Sequence, residues 1–352
     1  MSKFHKVNIS AIKRETKDAV SIVFDIPDTI KNEFSFIAGQ YITLKTNIND
    51  EEVRRAYSIC SSPNSAELRV AVKRIKNGHF SVYATSKLQV GDEIEISAPE
   101  GKFILATNNS NAKEYLAFGA GSGITPILAM IKSVMENEPN SKFVLVYGNK
   151  STDETLFFDE INSLLDTYRN RFFVQFVYSK EQPKESLFGR IDTSVVNYVL
   201  KKHTDFNFSD VFLCGPEQMI NTVSDTLKEN NFEESNIHFE LFSASKSKET
   251  NVDENLSLDG NTEITVLLED ETTTFSMAQK ETILDAALKE NLDAPYSCQG
   301  GICSSCLAKV TEGKAIMSKN SILSDEEVAD GLILTCQAHP TTSKITIDYD
   351  EV

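Results

Sequence analysis

The stretch 295–306, PYSCQGGICSSC, constrains this chain more than any other: Cys298, Cys303 and Cys306 stand at C-x4-C-x2-C spacing, and Cys336 follows at a distance. That spacing is the one at which a two-iron, two-sulfur cluster is held by thiolates. Two glycines separate the first pair of cysteines, so the loop can wrap a small inorganic core and aim backbone N–H groups at its sulfides. Cys336 comes after the apolar run 332–334 and closes the site. Four cysteines also build structural zinc sites, but those usually use paired C-x2–4-C knuckles, and only one such pair is present.

A chain of 352 residues, 40% apolar and 25% charged, has room for two or three domains with separate cores. The first residues, MSKFHKVNIS, lack the apolar stretch of a signal peptide, and no run of uncharged apolar residues is long enough to span a bilayer. A cytoplasmic chain is the expectation, and free cysteines grouped as ligands suit a reducing compartment. The net charge of −17 opposes nucleic acid, since phosphate contacts need clustered Lys and Arg. Such charge keeps a protein soluble and can steer a positively charged redox partner.

Short apolar runs separated by turn residues, at 20–24, 41–44, 68–72 and 93–96, predict antiparallel strands closing a barrel over the first hundred residues. From about residue 114 the pattern changes to strand then helix. Strands are expected at 115–118, 143–147, 172–177, 211–213 and 237–241, with amphipathic helices between most of them, which predicts a parallel sheet flanked by helices. Residues 243–261 are polar and without periodicity and read as a linker. Beyond it, a hairpin (263–268 and 272–275), a short helix (282–290) and a final strand (345–349) surround the cysteine loop.

In the barrel, Arg55-Ala56-Tyr57-Ser58 offers a guanidinium for a phosphate, a phenol and a hydroxyl on an extended chain. Val72-Lys73-Arg74 and Gly78-His79-Phe80-Ser81 add two cations and a glycine turn that could let amides approach a pyrophosphate. Phe36-x-Ala38-Gly39-Gln40-Tyr41 precedes the tetrapeptide, and Pro99-x-Gly101-x-Phe103 ends the barrel. In this order of motifs the segment resembles the ferredoxin–NADP reductase family. The resemblance implies that the barrel binds FAD, with Arg55 at the flavin pyrophosphate, Tyr57 at the ring and ribityl region, Ser58 near the flavin N5, and residues 78–81 completing the diphosphate cradle. Local chemistry alone leaves FMN as an alternative.

After the strand at 115–118 comes Gly119-Ala120-Gly121-Ser122-Gly123-Ile124-Thr125-Pro126, a glycine-rich turn into a helix, where an anionic pyrophosphate is favoured. Gly119, Gly121, Ser122, Gly123 and Thr125 are the candidate contacts. Cys214-Gly215-Pro216, between an apolar strand and a helix, resembles the family's nicotinamide-side motif, which places Cys214 beside the hydride path without covalent chemistry. By the same resemblance Glu240 is the acidic residue near the flavin, and Phe242 covers the ring. Ser58, Cys214 and Glu240 are thus the candidate catalytic residues. Lys150, Ser179 and Lys180 favour the 2′-phosphate of NADPH, whereas Asp153 and Glu154 leave NADH open.

The whole chain resembles the reductase components of multicomponent oxygenases, most nearly those serving a phenylacetyl-CoA epoxidase. The resemblance implies an FAD-binding barrel (1–106), an α/β NAD(P)-binding domain (111–242), a linker (243–261) and an α+β, β-grasp two-iron, two-sulfur ferredoxin domain of plant type (262–352). Nicotinamide gives up two electrons at once and the cluster takes one, so a flavin must stand between them. The implied partner is a di-iron oxygenase. Another hydroxylase or a free ferredoxin would use the same chemistry, and a non-enzymatic zinc-binding protein is the alternative from another class.

Overall fold

The computed structural model describes residues 3–242, 258 and 260–352. Residues Phe4–Phe242 form one compact unit, and the second is built on residues 260–352. The linker expected at 243–261 lies outside the described residues except at 258, 260 and 261. Among the described residues no helix is long and apolar enough to cross a membrane.

The first unit begins with the strands β1 (Phe4–Thr16), β2 (Ala19–Asp25), β3 (Tyr41–Ile48), β4 (Glu51–Ser58), β5 (Leu68–Lys73) and β6 (Glu93–Ser97). They form an antiparallel sheet of order β4-β3-β6-β1-β2-β5, and a bridge between Ile59 and Val70 joins its two edges into a barrel. Alternate residues point inward, as the pleat requires: Val7 and Ile9, Val20 and Ile22, Ile42 and Leu44, Val70 and Val72, Ile94 and Ile96 are all buried. β1 escapes a search for apolar runs because its two core residues alternate with Lys6, Asn8 and Ser10. A second departure is α1 (His79–Ser86), a helix where the sequence suggested only a glycine turn; Gly78 is its N-cap.

The two glycine motifs at the ends of the barrel meet. Ala38 bridges Leu105 and Tyr41 bridges Glu100. Gly39 has φ +104°, and a Cβ there would lie 2.0 Å from the Phe103 carbonyl oxygen, so only glycine fits.

The same unit continues with a six-stranded parallel sheet of order β10-β9-β8-β7-β11-β12, made of β7 (Glu114–Ala120), β8 (Lys142–Asn149), β9 (Phe172–Tyr178), β10 (Leu187–Phe188), β11 (Phe208–Gly215) and β12 (Ile237–Leu241). The helices α2 (Ile124–Asn137), α3 (Phe158–Thr167), α4 (Thr193–Lys202) and α5 (Glu217–Glu229) connect these strands. Twelve of the fourteen residues of α2 are buried, far more than one amphipathic face. The reason is that α2 lies between the parallel sheet and the barrel, in a core that also holds Ala38, Cys60, Phe103 and Leu105 of the barrel.

An ion triad crosses this contact. Arg69 on β5 donates to both Glu160 oxygens on α3, at 2.7 and 3.0 Å, and Lys132 on α2 pairs with the same carboxylate while donating to the Cys60 carbonyl at 3.1 Å. Burial alone would raise the Glu160 pKa, but Lys132 and Arg69 overcome it and hold the carboxyl below its ordinary value.

In the second unit, β13 (Asn261–Leu268), β14 (Glu271–Ala278), β15 (Leu307–Glu312), β17 (Leu332–Leu334) and β19 (Lys344–Asp348) form a mixed sheet of order β14-β13-β19-β15-β17, with β16 (Ala315–Met317) pairing with β18 (Ala338–Pro340). α6 (Ile283–Lys289), capped by the Thr282 hydroxyl, buries Ile283, Leu284 and Ala287 in its core, and the short α7 (Asp325–Ala329) precedes β17. The single parallel pair, β13 with β19, surrounded by antiparallel partners gives the α+β grasp expected from the sequence. The cysteine loop runs between α6 and β15.

Replacing Glu160 by Gln leaves Lys132 without its carboxylate and Arg69 with only Glu67, 3.6 Å away. We expect the Phe4–Phe242 unit to lose on the order of 3 kcal/mol in urea unfolding at pH 7. A carboxyl with depressed pKa stabilises above its unfolded pKa and loses that effect as pH falls through its folded value, so the gap between wild type and variant should close in acid.

Candidate active site and cysteine loop

The glycine-rich turn sits at the carboxyl ends of the parallel strands, where open α/β sheets bind ligands. β7 passes through a single 3-10 turn, Gly121–Gly123, into α2. A Cβ on Gly123 would lie 2.1 Å from the Cys214 carbonyl oxygen, so the turn is pressed against β11. Gly121 has φ +55°, and the Tyr147 hydroxyl donates to its carbonyl at 3.0 Å. Thr125 is buried and donates to the Ser122 carbonyl at 3.0 Å, which makes it a brace of the turn. The turn thus keeps backbone exposed at a helix N-terminus, a cradle whose fit to a pyrophosphate rests on glycine at 121 and 123.

Register brings the next group together. Across neighbouring strands Gly119 pairs with Cys214, and Cys214 with Glu240. The Ser58 hydroxyl, at the end of β4, donates to Glu240 Oε2 at 3.2 Å, so residues far apart in the chain share one site. Burial pushes the Glu240 carboxyl up to about 8, opposed by the Ser58 hydrogen bond. Burial also pushes the Cys214 thiol well above its ordinary value, with Glu240 adding to it, so this thiol stays protonated. Gly215 is buried against Ala120 and Met219, Pro216 is exposed at the start of α5, and Phe242 packs against the nucleotide core.

On the barrel side Arg55 is exposed, its guanidinium donating to the Arg54 carbonyl at 2.6 Å, while Arg54 turns inward to Glu52 at 2.8 Å. Ala56 is half-buried between them and Tyr57. Tyr57 meets Phe80 ring to ring at 5.4 Å, and burial raises its phenol pKa despite the nearby Arg55. Val72 and Phe80, expected among the cofactor contacts, pack in the barrel core, 0% and 1% exposed. Ser81 is likewise turned inward, its hydroxyl accepting from Ile75 N at 3.1 Å. Arg74 and His79 are exposed. No side chain caps the first turn of α1, so its amides remain for an anion, and a Cβ on Gly78 would sit 2.5 Å from Ser81 Oγ. Lys73 reaches across to the glycine turn, its Nζ 3.6 Å from where a Gly121 Cβ would be, and burial lowers its pKa.

At the far end of the sheet Lys180 N donates to the Lys150 carbonyl at 2.9 Å and Ser179 N to the Asn149 carbonyl at 3.0 Å, which sets Lys150, Ser179 and Lys180 side by side. Lys150 also pairs with Glu154 at 3.4 Å. Glu181, absent from the sequence expectations, accepts from both the amide and hydroxyl of Thr152 and ties the two loops together. Its signal, an acid after the Ser-Lys pair, was visible only as charge.

In the second unit Cys298 and Cys303 are half-buried, and Cys306 and Cys336 are buried. The Cys303 and Cys336 thiols beside Cys298, together with loop N–H groups, pull its pKa well down; Gly300 N donates to Cys298 Sγ at 3.3 Å. Gln337 Nε2 approaches Cys336 Sγ at 3.8 Å, and the Cys303 thiol lies 3.7 Å from Ser305 Oγ. Gly301 has φ +70°, and a Cβ there would be 2.9 Å from the Lys319 carbonyl oxygen. Ser297 Oγ, next to Cys298, is buried without a partner. Among the described residues no three His, Cys, Asp or Glu side chains converge on a single ion site. Soft thiol donors, N–H groups directed at sulfur and an unmet hydroxyl fit a sulfide-containing cluster with several acceptor sulfurs.

Three family models match parts of the chain. Residues 6–104 match a family model described as an oxidoreductase FAD-binding domain, 118–225 an oxidoreductase NAD-binding domain, and 266–341 a 2Fe-2S iron-sulfur cluster binding domain. Over 353 residues the chain is 36% identical to the E component of the 1,2-phenylacetyl-CoA epoxidase of Escherichia coli K12, covering 99% of each chain. It is 31% identical to the ferredoxin reductase component of the 3-ketosteroid-9-alpha-monooxygenase of Rhodococcus rhodochrous, covering 97% of this chain and 96% of that one. Among solved structures, phthalate dioxygenase reductase shares the fold with TM-score 0.62 at 23% identity, 98% of each chain being covered. An intact type IV self-sufficient cytochrome P450 monooxygenase matches with TM-score 0.70 at 23% identity over 98% of this chain, which spans only 41% of that one. The chain belongs to the ferredoxin–NADP reductase family, in the branch with a C-terminal 2Fe-2S ferredoxin domain that supplies oxygenases with electrons.

Proposed function

We propose that this reductase takes electrons from NADPH and delivers them to a phenylacetyl-CoA epoxidase. The observation that carries the reading is the 36% identity over 99% of both chains to the E component of that epoxidase, with the motifs of all three domains in place. The flavin, when bound, supplies the step from a two-electron donor to a one-electron acceptor. The uncapped first turn of α1, with Gly78 and the exposed Arg55 and Arg74, binds and orients the diphosphate of FAD. The glycine turn at 121–123 receives the pyrophosphate of the nicotinamide nucleotide. Lys150, Ser179 and Lys180 form a cationic rim suited to a 2′-phosphate, although the Lys150–Glu154 pair weakens it and admits NADH. Ser58, Cys214 and Glu240 line the hydride path. The hydroxyl orients the carboxyl, the carboxyl keeps its proton near neutral pH, and the thiol remains an inert wall. Cys298, Cys303, Cys306 and Cys336 hold the cluster.

Mixing the purified reductase and NADPH with a purified phenylacetyl-CoA epoxidase and, in parallel, with a steroid monooxygenase tests the partner. Substrate turnover with the epoxidase alone is expected, and equal or better coupling to the steroid enzyme would sink this choice. Cys306→Ser should leave bleaching of the flavin by NADPH within about twofold of wild type, while reduction of the acceptor protein falls by at least about a hundredfold. Stopped-flow absorbance at the flavin band and acceptor turnover read the two separately.

Because the Glu240 pKa is raised, the stability tied to its neutral form is fully present below its unfolded pKa and is lost as pH rises through about 8. The carboxyl turns from neutral to charged over the same range, so flavin reduction by NADPH should show a break near pH 8 that disappears in Glu240→Gln. A variant that keeps the same break would remove Glu240 from this role.

A further inference from the structure

Two carbonyls of the cysteine loop accept hydrogen bonds from outside it. Ser321 N donates to the Gly301 carbonyl at 3.2 Å, and Gln337 Nε2 donates to the Gln299 carbonyl at 3.1 Å. Gln337 directly follows Cys336, and its Nε2 also donates to the Cys336 carbonyl at 2.9 Å and lies 3.8 Å from Cys336 Sγ. From the other side the Ser318 hydroxyl donates to Gln337 Oε1 at 3.0 Å. Backbone holds the position as well: Ser318 N donates to the Gln337 carbonyl and Gln337 N to the Leu334 carbonyl, both at 2.8 Å. One half-buried side chain therefore joins the loop that carries Cys298, the turn that carries Cys336 and the stretch after β16. Its orientation is fixed, because a reversed amide would set Oε1 against two carbonyl oxygens, acceptor facing acceptor.

The loop needs such a tie. Gln299 has φ +50°, a left-handed backbone that a residue with a side chain keeps only where its surroundings hold it. Gly301 has φ +70°, and a Cβ there would lie 3.1 Å from Gln337 Cγ, so the stem of the glutamine packs against the bare glycine. Between these two residues stands Gly300, whose N–H donates to Cys298 Sγ at 3.3 Å. Gln337 thus touches both flanks of the turn that aims this amide at sulfur.

We propose that the Gln337 side chain is a clasp that closes the cysteine loop over the bound cluster, holding the Cys298 side against the Cys336 side and slowing the loss of iron through the loop. The inference rests on the reading of the four cysteines as cluster ligands. Gln337 is a positioning residue: it supplies no ligand and acts through the Gln299 and Cys336 carbonyls.

The test uses the full chain with both cofactors. Gln337→Met keeps an unbranched stem of similar length and removes both donors. Capture of iron by the chelator ferrozine in the presence of ascorbate should be roughly tenfold faster than in wild type. Gln337→Glu, which turns a second oxygen toward the two carbonyls, should release iron at least as fast. The comparison is Ile264→Val, a small loss of buried volume on β13, which β19 separates from β15. It weakens the second unit without touching the clasp and should release iron near the wild-type rate. The paramagnetic spectrum of the reduced cluster should shift in Gln337→Met and not in Ile264→Val, because an amide leaves the neighbourhood of Cys336 Sγ. Release from Gln337→Met no faster than from Ile264→Val overturns the clasp. If Gln337→Met is isolated without iron, Ser318→Ala, which removes the bond that orients the amide, should speed release roughly threefold, and an unchanged rate there overturns the proposal. Wild-type protein without iron or sulfide overturns the ligand reading beneath it instead.

Discussion

The Glu160 carboxylate, shared between Arg69 of the barrel and Lys132 of α2, is the interaction on which the geometry of the first unit depends. Barrel and parallel sheet share one core, and the Ser58–Glu240 contact draws one residue from each. Their relative placement decides whether Ser58, on β4, comes within 3.2 Å of Glu240, on β12. A flat apolar contact would permit sliding. A guanidinium bound to both carboxylate oxygens, with an ammonium on the same group, defines direction as well as attraction. The apolar layer around α2 shields the Arg69 and Lys132 side of the triad, while Glu160 stays partly exposed.

The site that this placement assembles is made of groups kept neutral by burial. Glu240, Cys214 and Tyr57 are all pushed toward their protonated forms. Fixed charge is displaced to the rim, where Arg55, Arg74 and Lys150 stand exposed and suit phosphates. The division suits the chemistry of the two ends of a dinucleotide. Its phosphates need cations and amide dipoles, whereas hydride passes best through a dry channel without competing proton donors.

The second unit follows a different logic. Its loop directs amides at sulfur from the surface side, with glycine at 301 because the backbone takes a positive φ against Lys319. Its inner side is apolar core, interrupted by the buried hydroxyls of Thr335 and Tyr349. The loop amide of Gly300 donates to sulfur from outside, and the Thr335 hydroxyl braces the Cys306 carbonyl from inside.

Much of this was legible in the chain itself. Cysteine spacing is a covalent ruler and names the cluster loop without any fold. Glycines mark where backbone must turn or approach closely, so the turn at 119–123 and the Gly39 and Gly101 motifs read directly. Apolar alternation and apolar runs located most strands, because local burial obeys the pleat. Other features depend on contacts between distant segments, which a local pattern does not encode. α1 hid behind a glycine that caps a helix as readily as it makes a loop. Val72 and Phe80 stand beside cations in the sequence, and only closure of the barrel shows that both are packed in its core. The near-complete burial of α2 and the raised Glu240 pKa belong to the same class: each is set by the neighbours that tertiary packing supplies, since the free energy of a buried polar group depends on what surrounds it and not on its place in the chain.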